Sequence, residues 1–253
     1  MVYFIGAGPG DVELITVKGM GVLSKADCII YAGSLVNPQL LDYAKAGCEV
    51  YDSAGMTLEE VVQVMFANEE KGLLTARLHT GDPSVYGAIR EQLDLLESRQ
   101  IPFEVIPGVS SFSAAAAVLG AEYTLPGVSQ TVILTRMEGR TPVPEKEKIT
   151  ELAKIQASMA IFLSSGMLGA LSEKLVEGGY PKDTPAAIIY KATWPDEHIV
   201  RTTLEKMEQD GKAAGISKTA IILVGDFLGS EYERSLLYHP GFSHGFRQGT
   251  QGE

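Results

Sequence analysis

Three short stretches carry residue types at spacings that can do chemistry. The first, Gly6-Ala7-Gly8-Pro9-Gly10-Asp11, follows the apolar run Val2–Ile5 and precedes a segment of helical period. Alternate glycines let a backbone turn sharply and approach a ligand closely. The spacing is GxGxG and not GxGxxG, Pro9 removes an N–H that a diphosphate would use, Asp11 adds negative charge, and no P-loop lysine follows. Phosphate binding is disfavoured, which leaves a neutral or cationic small molecule, or a tight turn with Asp11 as a helix cap.

The second stretch, Leu78-His79-Thr80-Gly81-Asp82-Pro83-Ser84-Val85-Tyr86-Gly87, sits at the carboxyl end of an expected central strand, where open α/β sheets bind ligands. Gly81 permits close approach and Asp82 can accept hydrogen bonds from a ribose or an amine; alternatively Asp82 or Ser84 only caps the next helix. His79 reads as a packed or hydrogen-bonded residue rather than a general base. The third, Ile106-Pro107-Gly108-Val109-Ser110-Ser111-Phe112-Ser113 followed by four alanines, again leads from a strand into a helix. Its hydroxyls can cap the helix or bind a ligand, and the alanines let a planar group or another backbone pack close. Three such loops after strands of one sheet imply a single ligand edge. No GxSxG, no HExxH, no Cys–His constellation and no paired acids at metal-ligand spacing occur, so a nucleophile or metal mechanism has little support. Group transfer from an already activated donor fits, because the protein then supplies mainly proximity and orientation.

The elements that must position these loops alternate. Strands are expected at Val2–Ile5, Cys28–Ala32, Glu49–Asp52, Leu74–His79 and Phe103–Ile106, with helices at Leu14–Ser24, Pro38–Ala44, Leu58–Glu70, Val85–Ser98 and the Ala-rich Ser113–Leu119. The rhythm is that of a parallel sheet covered on both faces. After Glu122–Gly127 a second series follows, with strands at Thr131–Thr135, Met159–Ser164, Ala186–Lys191, Ile199–Thr203 and Ala220–Gly225 and helices at Lys146–Gln156, Leu168–Glu177 and Leu204–Ala213. The close spacing of Ala186–Lys191 and Ile199–Thr203 suggests an antiparallel pair, hence a mixed sheet. The expected fold is α/β: an N-terminal domain over 1–123, a C-terminal domain over 124–238, a ligand cleft between them and a disordered Gly-rich tail over 239–253.

The chain has 253 residues, 45% hydrophobic and 21% charged, enough for one large core or two modest ones. Disorder and coiled coil are excluded. Lys plus Arg number 21 against 32 for Asp plus Glu, a formal charge of −11, so no global positive field recruits nucleic acid or an anionic membrane. Cys28 and Cys48 lack a CxxC spacing and read as free thiols in a reducing compartment. His239 and His244 in the tail have no cysteine or carboxylate cluster nearby, so no metal is expected. The N-terminus has no basic region before its short apolar run and no segment reaches about 18 apolar residues, which gives a cytoplasmic expectation.

Read in order, Gly6–Asp11, Thr80-Gly81-Asp82-Pro83 and Pro107-Gly108-Val109-Ser110-Ser111 resemble the glycine loop, GDP motif and PGxSS-like motif of the tetrapyrrole methylase family, over about residues 1–228. Three further stretches, Tyr31–Val36, Thr131–Pro144 and Tyr190–Glu197, resemble the branch that methylates C11 of precorrin-4 or its cobalt form in cobalamin synthesis. The resemblance implies two α/β domains, S-adenosyl-L-methionine as methyl donor with S-adenosyl-L-homocysteine as product, a tetrapyrrole substrate and a homodimer. It implies cofactor contacts at Pro9, Thr80, Gly81, Asp82, Val85, Ser110, Ser111, Leu163, Ser164, Ala192, Thr219 and Ala220, those of Ser164, Ala192 and Thr219 by segment position alone.

In the family the glycine loop faces the macrocycle, which makes Gly8 and Gly10 substrate contacts. The substrate's many carboxylates call for cations, and Arg136, Arg140, Lys191 and Arg201 lie in or beside the branch-like stretches; each reads equally as a surface charge. No catalytic residue is identified; Asp11 is the candidate base, with capping as its competitor. Another tetrapyrrole methyltransferase, such as one acting on uroporphyrinogen III, shares the cofactor loops. An NAD(P)-dependent reductase would explain a glycine loop after the first strand, but it would prefer GxGxxG and an acid ending the second strand, where Tyr31-Ala32-Gly33-Ser34 stands.

Overall fold

The computed structural model describes residues 1–33 and 35–250. The chain forms two units, one of Met1–Val118 with Lys191–His198, the other of Leu119–Tyr190 with the chain from Ile199 onward. The sequence reading has one boundary, at residue 124; here the first unit also takes back the distant Lys191–His198.

In the first unit β1 (Val2–Gly6), β2 (Cys28–Tyr31), β3 (Glu49–Asp52), β4 (Thr75–His79) and β5 (Phe103–Ile106) form an all-parallel sheet in the order β3-β2-β4-β1-β5. Alternation sends Ile5, Ile29, Leu78 and Ile106 to one face, packed with Leu23 of helix α1 (Val17–Leu23). Phe4, Cys28 and Ile30 go to the other, against Val61, Val62, Met65 and Phe66 of α2 (Leu58–Glu70) and Leu96 of α3 (Arg90–Ser98). Burial on both faces explains why these strands read as unbroken apolar runs. Helix α2 starts with a reciprocal cap: Thr57 Oγ1 accepts from Glu60 N–H at 3.3 Å and the Glu60 carboxylate accepts from Thr57 N–H at 2.8 Å. Helix α4 (Ser111–Leu119) follows β5.

Several expected helices are shorter. Residues Leu14–Ser24 hold the end of a 3-10 turn over Val12–Leu14 and then α1, because Thr16 caps the second piece by accepting from Gly19 N–H at 3.0 Å. Residues Pro38–Tyr43 are 3-10, and α3 begins at Arg90 instead of Val85. The positive φ of Tyr86 (55°) and Ala88 (48°) breaks the helical path there.

Strand β4 carries a buried polar column on the α2/α3 side. Thr75 Oγ1 accepts from Asn68 Nδ2 at 3.3 Å, and Arg77 donates to Ser53 Oγ (3.0 Å), Ile30 O (3.3 Å) and Gln92 Oε1 (3.4 Å). His79 stacks on Phe4 with centroids 5.9 Å apart. Burial, with the Arg77 charge adding to it, pushes the imidazole pKa down to about 3 despite a backbone hydrogen bond at Gly87.

In the second unit β6 (Val132–Arg136), β7 (Ser158–Phe162), β8 (Pro185–Tyr190), β9 (His198–Thr203) and β10 (Ala220–Val224) form a sheet in the order β6-β7-β10-β8-β9. Strand β6 runs parallel to β7, whereas β10 is antiparallel to β7 and β8. The mixed sheet is therefore present, with β9 beside β8 as the close spacing of the two segments suggested. Helices α5 (Ile149–Ala153), α6 (Leu168–Glu177) and α7 (Met207–Ala213) cover a core of Met159, Ile161, Leu171, Leu175, Ile188, Met207 and Ile222. From His239 to Thr250 the chain makes turns closed by the Arg247 guanidinium, which donates to the carbonyls of Leu237, His239 and Phe242; the last three residues of the expected disordered tail lie outside the described residues.

Candidate active site

Adjacent strands β4, β1 and β5 deliver the three loops to one edge, with Gly6 in register with His79 and Ile5 with Ile106. Backbone joins them. Ala7 N–H donates to His79 O (2.8 Å), Gly8 N–H to Gly81 O (3.3 Å) and Gly81 N–H to Gly8 O (2.8 Å). The glycines are required by this closeness: a Cβ on Gly6 would lie 2.5 Å from Gly108 Cα, and one on Gly108 would lie 2.2 Å from Gly81 O.

Asp82 locks the second loop to the third. One carboxylate oxygen accepts from Gly108 N–H at 2.8 Å, and the other from Ser84 N–H at 2.8 Å and from the Ser84 hydroxyl. Burial raises its pKa, but the hydrogen bonds from Ser84 and Gly108 outweigh this and hold the carboxyl below its ordinary range. The sequence expectations for Asp82 were a ligand hydrogen bond or a helix cap, and the bond to Gly108 is neither. A cavity of about 420 Å³ lies against these loops, lined by Asp82, Ser84, Val85, Gly108, Val109 and Ser110, with Phe112 and Ser113 of α4. Ser110 is buried and Ser111 opens α4. Thr80 Oγ1 is buried without a partner among the described residues. A buried hydroxyl needs a partner, so the same edge offers a polar ligand one unfilled hydrogen bond and a backbone-walled cradle. These residues fit a nucleoside-bearing cofactor with hydroxyl and amine groups.

Asp11 caps the 3-10 turn: Oδ1 accepts from Glu13 N–H at 2.9 Å while its own N–H donates to Thr193 Oγ1 at 3.0 Å. Capping thus accounts for Asp11. The Thr193 bond belongs to a group of contacts that sequence reasoning missed, in which Lys191–His198 returns to the glycine loop. Trp194 Nε1 donates to Pro9 O at 2.9 Å, and a Cβ on Gly10 would lie 2.1 Å from Trp194 Cδ1. From the other side the buried Asn37 donates to Gly10 O at 2.8 Å. Lys191 pairs with Asp196 at 2.6 Å and lies 5.1 Å from the Trp194 ring centroid. Ala192 is buried. The only signal in the sequence was the concentration of unusual residues in Tyr190–Glu197.

In the second unit the expected cofactor positions occupy one edge of the mixed sheet. Register pairs Ala220 with Tyr190 and Ile222 with Ile161, so Leu163, Thr219 and Ala220 sit where β7 ends and β10 begins. Leu163 (φ 52°) and Thr219 (φ 55°) are strained, and Leu163 is 67% exposed. Ser164 is buried; its hydroxyl accepts from Met137 N–H at 3.0 Å and donates to Phe162 O at 2.7 Å. Among the basic candidates Arg140 is exposed, and Arg201 donates to Leu119 O at 3.1 Å. Arg136 donates to the carbonyls of Met137 (3.4 Å), Thr141 (3.2 Å) and Pro142 (2.7 Å). That arginine fixes its own loop, so Arg136→Ala is expected to raise amide hydrogen exchange across residues 137–143 at least about tenfold, with β7 unchanged. Unchanged exchange in that loop would count against this role. Ser34, within the branch-like stretch Tyr31–Val36, lies outside the described residues.

Among the described residues no group of three or more His, Cys, Asp or Glu side chains is placed to hold a metal ion, and no helix is long and apolar enough to cross a membrane. Residues 1–208 match the family model described as tetrapyrrole (corrin/porphyrin) methylases. A cobalt-precorrin-4 C(11)-methyltransferase of Methanocaldococcus jannaschii is 54% identical over 248 residues, covering 98% of this chain and 96% of that protein. The X-ray structure of a cobalamin biosynthetic enzyme, cobalt precorrin-4 methyltransferase, superposes with a TM-score of 0.89 at 50% identity, over 90% of this chain and 96% of the other. The uroporphyrin-III C-methyltransferase of Thermus thermophilus, solved as a complex with S-adenosylhomocysteine, gives a TM-score of 0.74 at 25% identity over 90% and 92%. With its three loops gathered at one sheet edge and its likeness to these proteins running through both units, the chain belongs to the tetrapyrrole methylases.

Proposed function

We propose that this chain transfers a methyl group from S-adenosyl-L-methionine to C11 of precorrin-4 or cobalt-precorrin-4 in cobalamin biosynthesis. The observation that carries the reading is the convergence of Gly6–Asp11, Thr80–Pro83 and Pro107–Ser111 on one edge, walled by backbone and holding the unpartnered Thr80 hydroxyl. It is supported by the reactions named for the relatives of highest identity reported above. When bound, the sulfonium cofactor supplies an already activated methyl group, so the protein's task is placement.

Thr80 Oγ1 and the backbone of Gly81 and Ser110 hold the cofactor, with Val85 against it. Asp82 fastens the second loop to the third through Ser84 and Gly108, and its second oxygen, which among the described residues takes only the Gly108 N–H, can also accept from the cofactor. Trp194 holds the carbonyl of Pro9, and the glycine loop at Gly8–Gly10 faces the macrocycle. The carbon nucleophile belongs to the substrate, and Asp11 caps the 3-10 turn through Oδ1. Cytoplasmic location and a homodimer accompany the reading, with no nucleic-acid or membrane partner; the charge of −11 supports the latter.

The test is incubation of the protein with methyl-labelled cofactor and, in separate reactions, precorrin-4, cobalt-precorrin-4 and uroporphyrinogen III, with the product carbon identified by NMR. Label at C11 of either precorrin is expected. Label on uroporphyrinogen III alone, or tight calorimetric binding of NADH without S-adenosylhomocysteine, would overturn the reading.

A further inference from the structure

We infer that Trp194 is a positioning residue that sets the conformation of the glycine loop, and that the returning segment Lys191–Glu197 thereby controls how this edge receives its macrocycle. The inference deepens the function proposed above and rests on that reading for the identity of the ligand.

The glycine loop is fastened from two directions. Asn37 holds Gly10 O from within the first unit. Trp194 takes Pro9 O through Nε1–H at 2.9 Å, and Thr193 Oγ1 accepts from Asp11 N–H at 3.0 Å. The clamp reaches across more than 180 residues of sequence. It is also closely fitted. The indole fills the space in which a Cβ on Gly10 would stand, 2.1 Å from Cδ1 and 2.4 Å from Nε1. Gly10 is not among the residues of positive φ, so its small size serves the indole rather than a turn.

The clamp is itself braced. Glu197 accepts from Thr193 N–H at 2.6 Å, and Lys191, tied to Asp196, lies 5.1 Å from the indole centroid, within cation–π range. Lys191 (φ 47°) and Thr193 (φ 70°) hold left-handed backbone conformations that non-glycine residues rarely adopt; such strain persists where the surroundings over-determine it. A segment with two strained residues, an ion pair and three contacts to one loop is built to hold that loop. The cofactor cradle at Thr80–Asp82 and Gly108–Ser110 is fixed by Asp82 and meets the glycine loop at Gly8, ahead of the Pro9–Asp11 stretch that the clamp holds. Trp194 should therefore act on the macrocycle side and leave the cofactor side largely alone.

Trp194 is the single tryptophan of the chain, so its emission reports the clamp directly, with no turnover needed. Gly10→Ala, Trp194→Ala, the double variant and Trp194→Phe test the inference. Gly10→Ala is expected to red-shift the emission by expelling the indole and to raise the KM for the methylated precorrin about tenfold. Calorimetric affinity for S-adenosylhomocysteine should stay within about twofold. Trp194→Phe, which keeps the ring and loses the bond to Pro9 O, should have a smaller effect on KM than Trp194→Ala. In the Trp194→Ala background the added Cβ meets no indole, so the further cost of Gly10→Ala should nearly vanish.

Unshifted emission in Gly10→Ala, penalties that simply multiply in the double variant, or a cofactor affinity that falls in step with the precorrin KM would each overturn the inference. Failure of the proposed function looks different: the wild type would methylate no precorrin while the Gly10→Ala emission shift remained.

Discussion

Gly108→Ala should nearly abolish cofactor binding and measurably destabilise the first unit. The new methyl would stand 2.2 Å from Gly81 O and 2.7 Å from Gly6 Cα, both backbone atoms, and no rotamer change can make room. Relief requires β5's loop to withdraw from β4's and β1's, which breaks the 2.8 Å bond from Gly108 N–H to Asp82. Overpacking of this kind costs about 1–3 kcal/mol, and each kcal/mol lowers the Tm of a protein this size by about 2–4 °C. A fall of about 5 °C or more by calorimetry is expected. Because the same movement opens the cradle, S-adenosylhomocysteine affinity should fall roughly thirtyfold or more, equivalent to about 2 kcal/mol. Gly21→Ala is the control: beyond its chain neighbours and its own helix backbone no atom lies within 4 Å of its Cβ, and alanine in a helix interior is favoured by roughly 0.5–1 kcal/mol. If Gly108→Ala bound S-adenosylhomocysteine normally, the contact of the three loops would not be what forms the site.

That contact was legible in the sequence only in part. Runs such as Cys28–Tyr31 and Thr75–His79 announce strands because both faces are buried, and the glycines after β1 and β4 announce close approach because nothing larger fits. What Asp82 bonds was not legible. Its neighbour Ser84 is local, but Gly108 is 26 residues away, and the register of β4 against β1 against β5 must be known before the two meet. The return of Trp194 to Pro9 spans 185 residues and leaves no periodic trace. Arg136 shows the converse difficulty. Its charge and place in a distinctive stretch read equally as a carboxylate contact or a surface charge, and neither reading forecasts its bonds to carbonyls of its own loop. Helix ends failed for a local reason, since Tyr86 and Ala88 take a positive φ that their residue types do not forecast.

Acid should weaken the first unit through His79 well before the carboxylates contribute. The imidazole ordinarily titrates near 6.5, and burial beside Arg77 depresses it to about 3. Between those values the unfolded chain takes up a proton that the folded chain refuses. By linkage, stability is then lost as pH falls from about 6.5 towards 3, at up to about 1.4 kcal/mol per pH unit, and is fully present above pH 6.5. Asp27, Asp52, Asp82 and Glu138 have pKa values lowered in the fold, so their contributions are present above their ordinary pKa values and lost only at more acid pH. The interval from pH 6.5 to about 4.5 thus isolates the histidine, and urea unfolding there should show a decline of about 2 kcal/mol. His79→Gln loses the ring that stacks on Phe4 but should flatten the slope over that interval, and the slope is the quantity to compare. An equally steep slope in His79→Gln would assign the acid sensitivity elsewhere. The consequence reaches the site. His79 directly precedes Thr80 and Gly81, and its carbonyl receives Ala7 N–H at 2.8 Å, so a neutral ring stacked on Phe4 is part of what keeps the β4 loop seated. The folded ring stays neutral until pH approaches about 3, so S-adenosylhomocysteine affinity of the folded wild type should hold from about pH 6.5 to 4.5 while its stability declines. A fall in affinity over that interval matched in His79→Gln would place the acid sensitivity of the site elsewhere.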